Sequence, residues 1–152
     1  MGNQKLVEMT YSSFIFLEKE FSFKLDNVEQ TGNSLNTLRY RRKIEDLGID
    51  IEVESMDIGV YVLLVSLENG REPDGYYVNK EGEKVREHLV KYLQQENKLP
   101  IGYLEETRKK YRELQKVNSE GKRYLIIQEI LDFNASLLKN HINFIIKNHH
   151  IH

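Results

Sequence analysis

Residues Ile49-Asp50-Ile51-Glu52-Val53-Glu54 alternate apolar and acidic at every step. A period of two marks a strand with one face in a core and the other toward water. The run that follows, Gly59-Val60-Tyr61-Val62-Leu63-Leu64-Val65-Ser66-Leu67, is apolar at nearly every position. That is the pattern of a strand covered on both faces. These two segments require a sheet, and the rest of the chain must be arranged around it.

Two more strands are expected upstream, Phe23 to Gln30 and Leu35 to Lys43, separated by the turn residues Thr31-Gly32-Asn33-Ser34. Links this short favour an antiparallel meander, because parallel pairing needs long crossovers. Before the sheet, Val7, Thr10/Tyr11, Phe14, Leu17 and Phe21 form a helical stripe over residues 3 to 21. After it, Asn69-Gly70-Arg71-Glu72-Pro73-Asp74-Gly75 is the strongest breaker in the chain. Three helices are expected beyond: Glu83 to Gln95, Tyr103 to Asn118, and a broadly apolar one from Lys122 to Lys147. The expected fold is therefore a single α+β domain over residues 1–152. It has an N-terminal helix, a four-stranded antiparallel meander, and three C-terminal helices packed on one sheet face.

Charge narrows the function classes. Acidic residues number 24 and basic ones 22, giving a formal charge of −2 and a pI near 6.2. General nucleic-acid binding usually brings a basic excess, so no nucleic-acid partner is expected. Arg39-Tyr40-Arg41-Arg42-Lys43 is the densest basic run, but alternation sends Arg39, Arg41 and Lys43 to one face, beside acids. No apolar stretch is long enough to span a bilayer, so no membrane partner is expected. Cysteine is absent, which removes thiol nucleophiles and thiolate metal sites. The opening residues lack signal-peptide and myristoylation patterns, and a cytoplasmic protein is the expectation.

Catalytic motifs are missing. There is no G-x-G-x-x-G, P-loop or G-x-S-x-G, and Glu52-Val53-Glu54 lacks the lysine of a nuclease Glu-x-Lys. Histidines 149, 150 and 152 crowd the last residues without metal-site spacing, and His88 reads as a surface helix residue. No catalytic residue, metal or cofactor is expected.

What remains is surface. If Glu45 to Gly48 is the link, Lys43 falls opposite Asp50, Arg41 opposite Glu52, and Arg39 opposite Glu54. These charges form either a solvated ladder of cross-strand pairs or a face that docks a partner. In one of two registers Val60, Val62 and Leu64 extend that face as an apolar strip, the anatomy of an interface. The expected partner-binding residues are Asp50, Glu52 and Glu54 with Arg39 and Arg41, flanked by Tyr76 and Tyr77. Reversing the three acids to lysine is expected to weaken a complex and spare the fold. Two alternatives stand beside this reading. One is an enzyme or small-ligand domain whose site gathers scattered residues such as Tyr61, Arg42 and His88. The other is a structural homodimer through the last helix or the fourth strand, so monomer and homodimer both stay open.

Certain elements together resemble a known kind of protein. They are Phe16-Leu17-Glu18-Lys19-Glu20-Phe21-Ser22-Phe23, Arg39-Tyr40 on the second strand, the acidic strand, and the closing Ala135 to His141 helix. This resembles small bacterial α+β proteins, some of them immunity proteins of toxin systems. Position 22 is serine where glycine is expected to end the helix. The resemblance implies a non-enzymatic protein whose partner is a toxin, and it implies no catalytic residue.

Overall fold

The computed structural model describes residues 2–149. Helices α1 (Asn3–Ser13) and α2 (Phe16–Phe21) lead into strands β1 (Lys24–Thr31), β2 (Leu35–Arg42), β3 (Leu47–Glu54), β4 (Gly59–Ser66) and β5 (Arg86–His88). Helices α3 (Leu89–Gln95), α4 (Tyr103–Gln115) and α5 (Glu120–Asn148) follow. The class is α+β, and the strands stand in sequence order, every pair antiparallel. Five strands replace the expected four.

The extra strand has a physical explanation. Residues 83 to 95 carry apolar side chains at helical spacing, but Arg86, Glu87 and His88 pair with Val65, Leu64 and Leu63. Glu87 occupies the inward position opposite Leu64 and is buried, with Lys84 at 3.4 Å. A charged residue on the core side hides the period-two pattern. Helix α3 begins only at Leu89.

The expected N-terminal helix is broken. Phe14, Phe16 and Leu17 are all buried, and in a continuous helix they would spread over about 160° of its circumference. The interruption at Phe14 and Ile15 turns all three inward. At the end of α2, Ser22 adopts a left-handed backbone (φ 59°), and the Phe23 N–H donates to the Leu17 carbonyl at 3.0 Å. The position expected to carry glycine thus has the backbone that favours glycine, with serine bearing it.

One sheet face carries Leu38, Tyr40, Ile49, Ile51, Val53, Val60, Val62 and Leu64, all buried. Helix α1 lies against β2 and β3, α3 and α5 against β4, and α4 against α5. The Ser119 hydroxyl accepts from the Lys122 N–H and caps α5, which begins at Glu120, two residues before its expected start. Helix α5 buries Ile127, Ile130, Leu131, Leu137, Leu138, Ile142 and Ile145, a stripe wide enough to serve both the sheet and its neighbouring helices. Leu138 is fully buried, whereas Leu125 on the same helix is 68% exposed. Urea titration should therefore separate two identical substitutions. Leu138→Ala should cost about 2–5 kcal/mol, and Leu125→Ala should stay within about 0.5 kcal/mol of wild type.

Candidate functional site

The second face of the sheet holds the charges. Arg39 stands opposite Asp50, Arg41 opposite Gly48, Thr37 opposite Glu52 and Leu35 opposite Glu54. Asp50 therefore faces Arg39 rather than Lys43. The link between the strands has the expected length, but it spans residues 43 to 46 rather than 45 to 48. Each residue of displacement counts twice in register, and the even total keeps every side chain on its expected face. A short helical turn at Lys43–Glu45 and a left-handed Asp46 (φ 53°) make the reversal. Arg42 ties it down, with Nε donating to Glu45 at 2.9 Å and Nη1 to the Phe21 carbonyl at 2.7 Å.

Gly48 is thus a strand residue, and its missing side chain has a use. A Cβ there would lie 2.6 Å from Arg41 Nη1. The absence of a Cβ lets the Arg41 guanidinium lie on the sheet and reach Asp50. Strand β4 settles the other open register. Tyr61 faces Glu52 and Leu63 faces Asp50, so Val60, Val62 and Leu64 belong to the core face. The strip expected on the charged face, Val60, Val62 and Leu64, is therefore on the opposite side, and Leu63 and Val65 stand on the charged face instead. Strand β4 lies between β3 and β5, which pairs with it at Leu63, Leu64 and Val65.

The charged face is also covered. Residues 67 to 85, between β4 and β5, form a strap across it. Asp50 is 0% exposed and Arg41 2%, which corrects their expected place on an open surface. Asp50 accepts from Arg41 Nη1 at 2.8 Å, from Arg86 Nε at 3.1 Å and from Arg39 Nη1 at 3.2 Å. Arg41 Nε and Nη2 donate to the two carboxylate oxygens of Glu72 on the strap, each at 2.6 Å. Arg39 turns its remaining donors to Glu29. Arg86 Nη1 donates to the Gly75 and Tyr76 carbonyls at 3.2 and 3.0 Å, under the Tyr76 ring at 4.7 Å. Tyr76 Oη donates to Glu52. Gly75 is required at this crossing, since a Cβ would collide with the Val78 carbonyl oxygen.

Beyond the strap an aromatic row reaches solvent. Tyr76 and Tyr77 meet edge to face at 4.7 Å, Tyr77 lies 6.2 Å from His88, and His88 lies 6.0 Å from Tyr61. The three tyrosines are 42%, 49% and 48% exposed in that order. Glu52 and Glu54 are half-buried beside them. Tyr61 and His88 thus come together, while Arg42 lies apart at the β2–β3 turn. His88 ends a strand rather than sitting on a helix.

Among the clefts formed by the described residues, three bear on function. One of about 520 Å³ includes Arg39, Arg41, Glu72, Tyr76 and Arg86. A second, about 710 Å³, is mostly apolar and is lined by Val60, Val62, Leu89, Tyr103 and Leu137 with Thr107 and Asn134. A third, about 740 Å³, is acidic, with Glu45, Asp46, Glu68 and Glu83. Among the described residues no group of three His, Cys, Asp or Glu side chains is placed to hold a metal ion. His150 and His152 lie outside the described residues. Nor is any described helix long and apolar enough to cross a membrane. No family model, curated protein or solved structure matches the chain.

Two of the central residues, Glu72 and Arg86, escape sequence reasoning. Glu72 lies in the breaker, and Arg86 lies in a segment read as helix. Burial of the Arg41 guanidinium opposes its charge, but the Glu72 hydrogen bonds and the Asp50 charge outweigh this and raise its pKa. The Arg41 hydrogen bond in turn holds the Glu72 carboxyl below its ordinary 4.5.

Two outcomes follow from this geometry. Asp50→Ala should cost about 3–5 kcal/mol in urea, because it leaves buried arginines without their acid; lysine at this position would strike the fold rather than a surface. Glu72 is depressed in the folded state, so its stabilisation is complete above pH 4.5 and is lost as pH falls through its lower folded value. Hydrogen-exchange protection of the Arg71 and Val85 amides, which donate to the Glu68 and Tyr77 carbonyls, corrected for intrinsic rates, should fall across that window. Glu72→Gln should abolish the dependence.

Proposed function

We propose that this chain is a non-enzymatic protein-binding domain that docks its partner through Tyr61, Tyr76, Tyr77 and His88, with Glu52 and Glu54 at the rim. The supporting observation is the aromatic row itself. Its exposed rings are held by contact with one another and with Arg86, so little side-chain freedom is left to lose on binding. Tyrosine is enriched among the residues that dominate interface energetics. The acidic rim favours a partner with a basic surface. In its most concrete form, the resemblance to immunity proteins makes that partner a toxin neutralised in the cytoplasm. Asp50 and Arg41 enter this proposal as supports beneath the surface rather than as contacts.

The apolar cleft between β4, α3 and α4 favours a second reading, a small-ligand domain. Its lining joins apolar side chains to the Thr107 and Asn134 polar groups, a composition that suits a small ligand. A thermal-shift screen of small apolar ligands with polar handles would support it by a saturable rise in melting temperature that a cleft-filling substitution such as Val62→Phe removes.

For the binding reading, immobilised protein should retain one stoichiometric partner from lysate of its own source. Tyr61→Ala and Tyr77→Ala should each weaken the purified complex by about 2 kcal/mol, measured by calorimetry. Leu125→Ala, far from the row in sequence and on a helix, is the control. A complex untouched by both tyrosine variants would exclude this face.

A further inference from the structure

The charge count beneath the strap is unusual. The Arg41 and Arg86 side chains are 1% and 5% exposed, and between them stands one buried acid, Asp50. Arg39 also reaches Asp50, but it is 20% exposed and has Glu29 for its other donors. The second neutralising charge for the buried pair is Glu72, 2.6 Å from Arg41 Nη2 and 3.8 Å from Arg86 Nη2. Unlike Asp50, Glu72 is 49% exposed and reaches the pair from the strap.

No residue from 68 to 84 is buried. Polar contacts hold the strap instead: Glu72 on Arg41, Tyr76 on Glu52, the Gly75 and Tyr76 carbonyls on Arg86, and the Gly70 N–H on Asp46 at 2.6 Å. Such a segment opens locally at small cost compared with global unfolding. A planar guanidinium fork binding two carboxylate oxygens is the same geometry that receives a ligand's carboxylate or phosphate. Glu72 therefore stands where a ligand oxyanion would stand, at the wall of the 520 Å³ cleft.

The geometry points to an oxyanion receptor built from Arg41 and Arg86, which Glu72 fills in the closed strap and a carboxylate or phosphate group of a ligand takes over by displacing it. Arg41 remains fixed by Asp50 throughout, so the receptor is preorganised and only the strap moves. Tyr76 and Tyr77 ride on that strap, and displacement would rearrange the aromatic row. The inference does not rest on the docking reading, because its readouts need no protein partner.

The test compares wild type, Glu72→Ala and Glu29→Ala in inorganic phosphate and in glutarate, with chloride keeping ionic strength constant. Glu72→Ala should gain melting temperature saturably with either oxyanion, as a ligand bound to the folded state requires. The more effective probe then names the oxyanion source. Wild type should respond at about tenfold or more higher concentration, since only the open fraction is competent. Tryptic cleavage at Arg71, Lys80 and Lys84 should rise over the same concentrations. Glu29→Ala, which frees the partly exposed Arg39, should gain nothing saturable. Glu72→Gln offers a second variant if Glu72→Ala does not fold, and the wild-type cleavage measurement stands without either. The proposal is overturned if uncapped protein responds to neither oxyanion beyond chloride, if Glu29→Ala gains equally, or if wild-type strap cleavage never changes.

Discussion

Everything on the second sheet face is organised by one carboxylate with no solvent exposure. Asp50 lies in β3, the middle strand, and receives Arg39 and Arg41 from the neighbouring strand and Arg86 from the edge strand β5. Burying these charges carries a large desolvation cost, and the arrangement is tolerable only because the donors have partners. Arg41 divides its own between Asp50, Glu72 and the Tyr40 carbonyl. Arg86 divides its own between Asp50 and the strap carbonyls. Gly48 and the apolar Leu63 and Val65 supply the floor on which these flat groups lie. Hydrophobic residues of the same volume could fill the space at lower cost, but they could not grip a polar strap.

That grip connects the buried cluster to the surface. The strap has no buried anchor of its own between residues 68 and 84, so its path is set by where the guanidinium groups point. Arg86 fixes the backbone at Gly75 and Tyr76 and underlies the Tyr76 ring. Tyr77 then falls against Tyr76 and His88, and His88 is placed by the same short strand that carries Arg86. The aromatic row is therefore a distant consequence of Asp50. A surface built this way is rigid while the ion pairs hold and can be rearranged by whatever competes for them.

Much of this was legible in the sequence, and the failures have definite causes. The antiparallel order of the first four strands follows from their short links, and the faces of Arg39, Arg41, Asp50, Glu52 and Glu54 follow from periodicity, which survives a four-place register shift unchanged. The shift itself could not be read, because Lys43 continues the strand pattern while Gly48 imitates a loop residue. Strand β5 was hidden by Glu87, an acid at a core position. Tyr76 and Tyr77 were recognisable as aromatic residues in a glycine-bounded loop, but the partners that orient them, Arg86 and Glu72, lie in segments whose pattern suggested helix and breaker. No local signal joins residue 72 to residue 41. That contact is created by topology.

Burial of the charges, however, left a trace in the pattern. Alternation in β3 reads the same for a ladder in water and for a cluster under a cover, since period two reports the side of a residue and not its depth. Strand β4 breaks the tie. It is apolar at both parities, and Leu63 and Val65 point to the same face as Asp50. Two adjacent strands share whatever lies above them. An apolar outer face on β4 therefore requires a cover over β4, and a cover wide enough to bury Leu63 also closes over Asp50, the residue directly opposite. An open charged β3 beside a doubly buried β4 was never a consistent pair of expectations. The only long segment adjoining β4 that could provide the cover is the polar one that follows it, and a polar cover needs polar anchors beneath. The apolar run thus implies the strap, and the strap in turn accounts for arginines buried around a single acid.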